Sequence, residues 1–250
     1  MNLDTVIAQR VNKTIYRDNE KCIKLFARDY SKADILNEAL NQARIEETGL
    51  NIPKVLEVTM INGCWAIVFE FIEGQTLSEM SGDHPEKTKE YINLMIDVQI
   101  KTHEQKCPLL TSLQAKMLYK ISLTNYSSTV KSDLQSYLET MPYHNKVCHG
   151  DICPSNIIIT PDNVPYIIDW SHVTQGNASA DAAWTYLIYL LSGQKEIAEY
   201  YMRTFCEKTN TARDYAEKWI RIVAAAHSVK GNQEQLEFLA GIVNSADKSR

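Results

Sequence analysis

Near residue 72 the hydrophobic period of this chain changes, and that change limits the folds open to it. Residues 1–72 carry short alternating runs of the kind that make half-buried strands, set around a single helical stretch. Cys22-Ile-Lys-Leu-Phe26 alternates, so Cys22, Lys24 and Phe26 share one face and Ile23 and Leu25 the other. Asp18-Asn19 before it suits a tight turn from a strand around Thr14–Arg17. Ser31 and Asp34 read as a capping box opening a helix. Its apolar stripe is Ile35, Leu36, Ala39, Leu40 and Ala43, with Gly49 as a stop. Val55–Thr59 and Trp65–Phe71 are joined through Asn62-Gly63, a dipeptide suited to two-residue hairpins. A small antiparallel sheet carrying one helix is therefore expected first.

After Glu73-Gly74 the period becomes helical. Tyr91 to His103 has a broad apolar face, and residues 111–139 suit one or two amphipathic helices. Ile157–Thr160 and Tyr166–Asp169 read as a second hairpin around Pro161-Asp162-Asn163, and helices are expected again from Ala182 to the end. The expected architecture is α+β in two lobes: residues 1–72 as the smaller, a connector near 69–74, and residues 73–250 as a larger helical part.

Composition excludes several classes. With 26 basic and 31 acidic residues the net charge is −5, which argues against a broad nucleic-acid-binding face. No apolar run approaches the ~20 residues needed to span a bilayer, and Met-Asn-Leu-Asp-Thr lacks the parts of a signal peptide. The six cysteines are scattered without a C-x-x-C pair, so a reduced, cytoplasmic setting without structural zinc is expected.

The chemistry-bearing stretch is His149-Gly-Asp-Ile-Cys-Pro-Ser-Asn156, followed by Ile167-Ile-Asp-Trp170. Asp151 and Asn156 lie on a loop stiffened by Pro154, and the following hairpin returns Asp169 toward it. Asn156 and Asp169 supply hard oxygens suited to Mg²⁺, which keeps waters and binds substrate phosphates. Asp151 is left as the acceptor for a hydroxyl proton, a general-base role. These are the parts of a phosphoryl-transfer site.

These segments resemble the catalytic and metal-binding signatures of the aminoglycoside phosphotransferase/choline kinase superfamily, small-molecule kinases with a protein-kinase-like fold. The likeness extends to Lys24 in a strand, Glu38 in the helix, Phe69-Glu-Phe-Ile-Glu-Gly74 as a hinge, Thr102-His103 ending a helix, and Gly176 with Asp181. It implies ATP or GTP as phosphoryl donor, Mg²⁺, and a small-molecule alcohol as acceptor. It also implies roles: Lys24, paired with Glu38, on the nucleotide phosphates; the Glu70 carbonyl and Ile72 N–H on adenine; Asp151 as base; Asn156 and Asp169 on Mg²⁺; His149 holding the loop. One departure is plain. The first glycine in the chain is Gly49, so the expected phosphate loop, Arg10-Val-Asn-Lys13, has none, which leaves contacts there to Asn12 or Lys13.

Structural readings stand beside these. Lys24 also suits a snorkelling edge lysine, and Glu38 shares its helix with Glu46 and Glu47, any of which suits a solvated charge. His103 reads as a buried structural histidine, and Asp181 as an N-cap for a helix at Ala182. Cys148 and Cys153 lack an activating histidine pattern. Trp184, Tyr186, Tyr200 and neighbouring aromatics suit either packing or a cage for a cationic amine, and Glu196, Glu199, Glu207, Asp214 and Glu217 either a solvated face or an attraction for a polycation. A protein kinase is disfavoured because only eleven residues separate Asp169 from Asp181, too few for an activation loop. The rival from another class is a non-catalytic nucleotide-binding pseudokinase, motivated by the glycine-free loop.

Overall fold

The computed structural model describes residues 1–230 and 232–245. In chain order, β1 (Thr5–Arg10), β2 (Lys13–Asp18) and β3 (Lys21–Phe26) precede α1 (Lys32–Glu46), β4 (Val55–Ile61) and β5 (Cys64–Glu70). Next come β6 (Gln75–Thr76), α2 (Leu77–Asp83), α3 (Thr88–His103), α4 (Leu113–Leu123) and α5 (Ser128–Glu139). β7 (Lys146–Cys148), β8 (Ile157–Ile159), β9 (Pro165–Ile167) and β10 (Thr174–Gly176) follow, then α6 (Ala178–Leu191), α7 (Lys195–Thr209), α8 (Arg213–His227) and α9 (Gln233–Ser245). The fold is α+β, an antiparallel sheet with one helix followed by a mainly helical part. Among the described residues no helix is long and apolar enough to cross a membrane.

The chain packs as two compact units. One comprises Met1–Tyr91 and Cys153–His172; the other comprises Ile92–Ile152 and the chain from Val173 on. The period change at residue 72 and this division are different properties, because the β8–β9 hairpin groups with the first sheet's unit although it follows five helices.

In the first unit the five-stranded sheet runs β1-β2-β3-β5-β4, antiparallel throughout. The alternation of β3 sorts its side chains to two faces: Phe26 packs with Ile35, Ala39, Ile67 and Phe69, and Ile23 packs with Ala66 and Val68. Asn62 and Gly63 both take positive φ in the β4–β5 turn, as a type I′ hairpin requires. Asn19 in the β2–β3 turn and Asn163 in the β8–β9 turn take the same left-handed region. A second small sheet, β6-β8-β9, carries the returning hairpin.

Helix α1 corrects one expectation. Ser31 caps it, accepting a hydrogen bond from the Asp34 amide, but Leu36 and Leu40 are exposed and so is Ala43. The buried face is Ile35, Glu38, Ala39, Asn41, Gln42 and Ile45. Polar residues hold that face because they have partners: Gln42 donates to the Pro53 carbonyl at 2.6 Å, and Glu38 meets Lys24. In the second unit α4, α5, α6, α8 and α9 enclose one core around Trp219, Ile222, Leu134 and Leu187. β7 and β10 pair, Cys148 opposite Thr174.

Candidate active site

Within the first unit, four charged side chains meet. Lys24 on β3 and Glu38 on α1 are both buried, at 5% and 6% exposure, and form an ion pair. The same ammonium lies 3.1 Å from Oδ1 of Asp169, just after β9. Lys13, the first residue of β2, places its ammonium 3.2 Å from the other oxygen, Oδ2, of Asp169. The Ser171 hydroxyl donates to Oδ1 at 2.9 Å. Two ammonium groups and two carboxylates thus form one compact cluster, which is how charges survive removal from water.

Burial by itself would push the Asp169 carboxyl up, but Lys24 and Lys13 hold it well below the usual carboxylate range. Burial likewise opposes charge on Lys24, and Asp169 and Glu38 outweigh it, raising Lys24 above its ordinary value. Lys13 moves the other way: burial and the neighbouring Lys24 ammonium lower it. Asp169 and Lys24 are therefore charged at neutral pH.

Asn156 is tied through backbone register to the strand that leads to Asp169. It ends the 3-10 turn Pro154–Asn156, its N–H bonding the Cys153 carbonyl, and its carbonyl accepts from the Ile168 N–H at 3.0 Å. That bond sets Asn156 opposite Ile168, one residue from Asp169. Asp169 itself adopts φ +63°, an unusual conformation for a side-chain-bearing residue that costs of order 1–3 kcal/mol and clusters at functional sites. An ionised carboxylate and a neutral carboxamide are both hard-oxygen donors, the chemistry that suits Mg²⁺, which takes few protein ligands and keeps the rest for phosphate and water.

In the second unit, Asp151 sits on the loop that follows β7. The loop is held from beneath by Asp181, fully enclosed on α6, whose carboxylate accepts from the Gly150 N–H at 2.7 Å and the His149 N–H at 3.3 Å. The same carboxylate meets His103 Nε2 at 2.9 Å and Gln99 Nε2 at 3.2 Å. Although burial opposes it, His103 and the backbone donors keep Asp181 below the ordinary carboxylate value. The Asp151 N–H in turn donates to His149 Nδ1 at 3.2 Å. Asp181 is not an N-cap: α6 begins at Ala178, capped by Asn177, and Asp181 lies inside it. His103 and His149 are both buried, and each bonds into this support.

The sequence model of the APH family, the phosphotransferase enzyme family, matches residues 6–218. The chain belongs to that family. It is a kinase-type phosphotransferase, and solved structures of similar fold agree with that placement. A thermostable mutant of aminoglycoside phosphotransferase APH(4)-Ia, in a ternary complex with AMP-PNP and hygromycin B, is 14% identical over 98% of this chain and 93% of its own, with a TM-score of 0.71. Aminoglycoside phosphotransferase APH(3'')-Id from Streptomyces rimosus, with ADP and streptomycin, is 18% identical over 87% and 91%, at 0.63. Choline kinase LicA from Streptococcus pneumoniae is 14% identical over 98% and 93%, at 0.62. Among curated proteins none is similar enough in sequence to match.

Against the family's pattern, Glu70 and Ile72 end β5 and enter the connector. The Glu70 N–H is taken by the Lys54 carbonyl and the Phe71 N–H by that of Glu20, which fixes the backbone on either side. Glu46 and Glu47, the rivals of Glu38 on α1, do other work: Glu46 accepts from the Val55 N–H at 2.8 Å, and Glu47 is the C-cap. Ser171 and the Lys13–Asp169 pair add to the expected set. Nothing in Trp170-Ser171 announces the former, whereas Lys13 adjoins the glycine-free turn at Val11-Asn12.

Proposed function

We propose that this phosphotransferase moves the γ-phosphoryl group of ATP, or of GTP, to a hydroxyl of a small molecule. The observation that carries this reading is Lys24 held between Glu38 and Asp169, a buried cation fixed by one carboxylate and aimed at another. Nucleotide complexes of similar structures support the donor: AMP-PNP in one and ADP in another. The hygromycin B and streptomycin bound with those nucleotides support a small hydroxylated substrate.

In this reading residues 1–72 bind nucleotide, the Glu70 carbonyl and Ile72 N–H serve adenine at the connector near 69–74, and residues 73–250 take the acceptor. Asn156 and Asp169 hold Mg²⁺, which supplies neutralisation of charge on the phosphates. Lys24 balances phosphate charge, and Glu38 keeps its ammonium in place. Asp151, oriented by His149, accepts the acceptor's hydroxyl proton. The freed oxygen forms a bond to the γ-phosphorus as the bond from that phosphorus to the β–γ bridging oxygen breaks, and the electron pair leaves with the nucleoside diphosphate.

Calorimetric titration with nucleotide, with and without Mg²⁺, tests the metal and phosphate roles. Asp169→Ala is expected to abolish the Mg²⁺ dependence of nucleotide binding, and Lys24→Met to weaken binding with the metal dependence kept. An unchanged Mg²⁺ dependence in Asp169→Ala would remove Asp169 from this role.

A further inference from the structure

A second group of cations lies in the helical unit, beside the loop that carries Asp151. Helix α4 is anchored there: Ser112 bridges Gln175 of β10, and β10 pairs with β7, which runs directly into His149-Gly150-Asp151. One and two turns into α4 stand Lys116 and Lys120, four residues apart and so on one face. The Lys120 ammonium sits 4.5 Å from the centroid of the Trp184 ring on α6, one turn beyond Asp181. The Trp184 ring meets that of His227, at the end of α8, at 5.2 Å, and Lys230 follows three residues later. In a protein of net charge −5, three lysines and a histidine lie within electrostatic range of one another.

That proximity has an electrostatic cost. Burial and the neighbouring lysines Lys120 and Lys230 push Lys116 down to about 7, with Asp181 opposing. Burial and Lys230 push Lys120 down to about 8, with Asp151 opposing. His227 is lowered by burial and by Lys120 and Lys230. Among the described residues the carboxylates that oppose these shifts, Asp181 and Asp151, are outweighed, and both have other duties: Asp181 supports the loop, and Asp151 is the base of the proposed reaction.

Several of the features that would attract a cationic acceptor are meanwhile engaged within the protein. Glu199 and Glu217 each lie 2.7 Å from Arg213, and Glu199 also accepts from the Tyr186 hydroxyl at 2.6 Å. Trp184, Tyr186 and Tyr200 carry the protein's own Lys120, Arg213 and Arg203 over their rings. Trp170, Tyr201 and Trp219 are wholly enclosed.

We propose that the acceptor is an anion: a hydroxylated small molecule bearing a carboxylate or a phosphate, whose charge is received by Lys116, Lys120 and Lys230 while its hydroxyl is presented to Asp151. The proposal rests on the phosphotransfer reading for the reaction and adds the chemical class of the acceptor. A bound anion supplies counter-charge to the lysine group, and it distinguishes this chain from enzymes that take aminoglycosides or choline.

One six-carbon hydroxyl skeleton in several charge forms tests it. Glucose, glucosamine, gluconate and glucose 6-phosphate, with choline as a further cation, are titrated at constant ionic strength against wild type and the Lys116→Gln/Lys120→Gln double variant. Melting temperature reports binding, and nucleoside diphosphate release with Mg²⁺ and ATP reports transfer. The expected result is protection of wild type by gluconate, glucose 6-phosphate or both, and transfer to the compound that protects. Loss of the lysines should raise KM for that compound roughly tenfold per lysine. The pattern between the two anions separates a carboxylate from a phosphate requirement. Protection by no anion, protection that survives in the double variant, or transfer to glucose, glucosamine or choline in preference to the anions overturns the proposal, and in the last case phosphotransfer stands. Lysine-dependent protection by anions with transfer to none of the compounds supports the anion site and counts against the phosphotransfer reading instead.

Discussion

At Asp169 two ammonium groups share one carboxylate, and the cluster's other carboxylate, Glu38, is committed to Lys24. The arrangement separates roles by residue. Asp151 belongs to the other compact unit and to another network, which is why its removal should touch chemistry without touching the nucleotide. Asp151→Asn is expected to keep nucleotide affinity within about twofold while turnover falls by roughly 10²–10⁴-fold, the usual contribution of a general base. Paired binding and turnover assays check this, and near-normal turnover contradicts the role.

The lysines of α4 give a pH signature at the same scale. Their folded values near 7 and 8 lie below the unfolded lysine value of about 10.4. Between these limits the unfolded chain binds more protons than the folded one, so this part of the stability rises with pH and is absent at lower pH. The Lys116→Gln/Lys120→Gln variant is therefore expected to melt at least as high as wild type near pH 7, with a flatter rise toward pH ~9. A melting series across that range reads it. An identical pH slope in the two proteins would show that those lysines are not perturbed.

Among the elements, α1 shows how far periodicity carries. Its limits and cap were legible from Ser31, Asp34 and Gly49, but the sequence points to an apolar stripe with Leu36, Leu40 and Ala43 on it, and those residues face solvent. The helix is rotated so that Glu38 and Gln42 are buried, because Lys24 and the Pro53 carbonyl repay their desolvation. No pattern of apolar residues reveals a face chosen by polar partners distant in sequence. Leu40→Glu is accordingly expected to change stability by no more than ~0.5 kcal/mol, the range of surface substitutions. Ile35→Ala should cost about 2–5 kcal/mol, as for buried aliphatic truncations. Denaturant titration of both separates the two faces, and a reversed order would contradict the helix orientation.

β10 offers a second case. Gly176 is legible in sequence as the partner of Asp181, and its physical constraint is close packing: a Cβ there would run into the Leu113 side chain at the start of α4. Gly176→Ala is expected to destabilise by about 1–3 kcal/mol, as overpacking does, and denaturant titration measures it. A neutral result would mean that α4 is free to shift.

Over the whole molecule, the α+β plan was legible because its signals are local: a change of period, turn residues that tolerate positive φ, and a motif contiguous in the chain. That Lys24, Glu38 and Asp169 meet was legible through the family resemblance, whose motif order is carried along the sequence. The support of the Asp151 loop by Asp181, the Ser171 hydroxyl bond and the lysine group on α4 were not, since each depends on residues that only tertiary packing brings together. Asp181 illustrates the difference. From its position before Ala182 it reads as a helix cap, yet it is an enclosed acceptor for donors on α3 and on the loop after β7.

The central claim is transfer of a phosphoryl group to a small molecule with Asp151 as base. Incubation with γ-labelled ATP, Mg²⁺ and a panel of hydroxylated small molecules tests it most directly. The account predicts label in a phosphorylated small molecule with wild type and none above background with Asp151→Asn. Label released only as inorganic phosphate, or equal transfer by the two proteins, would contradict it.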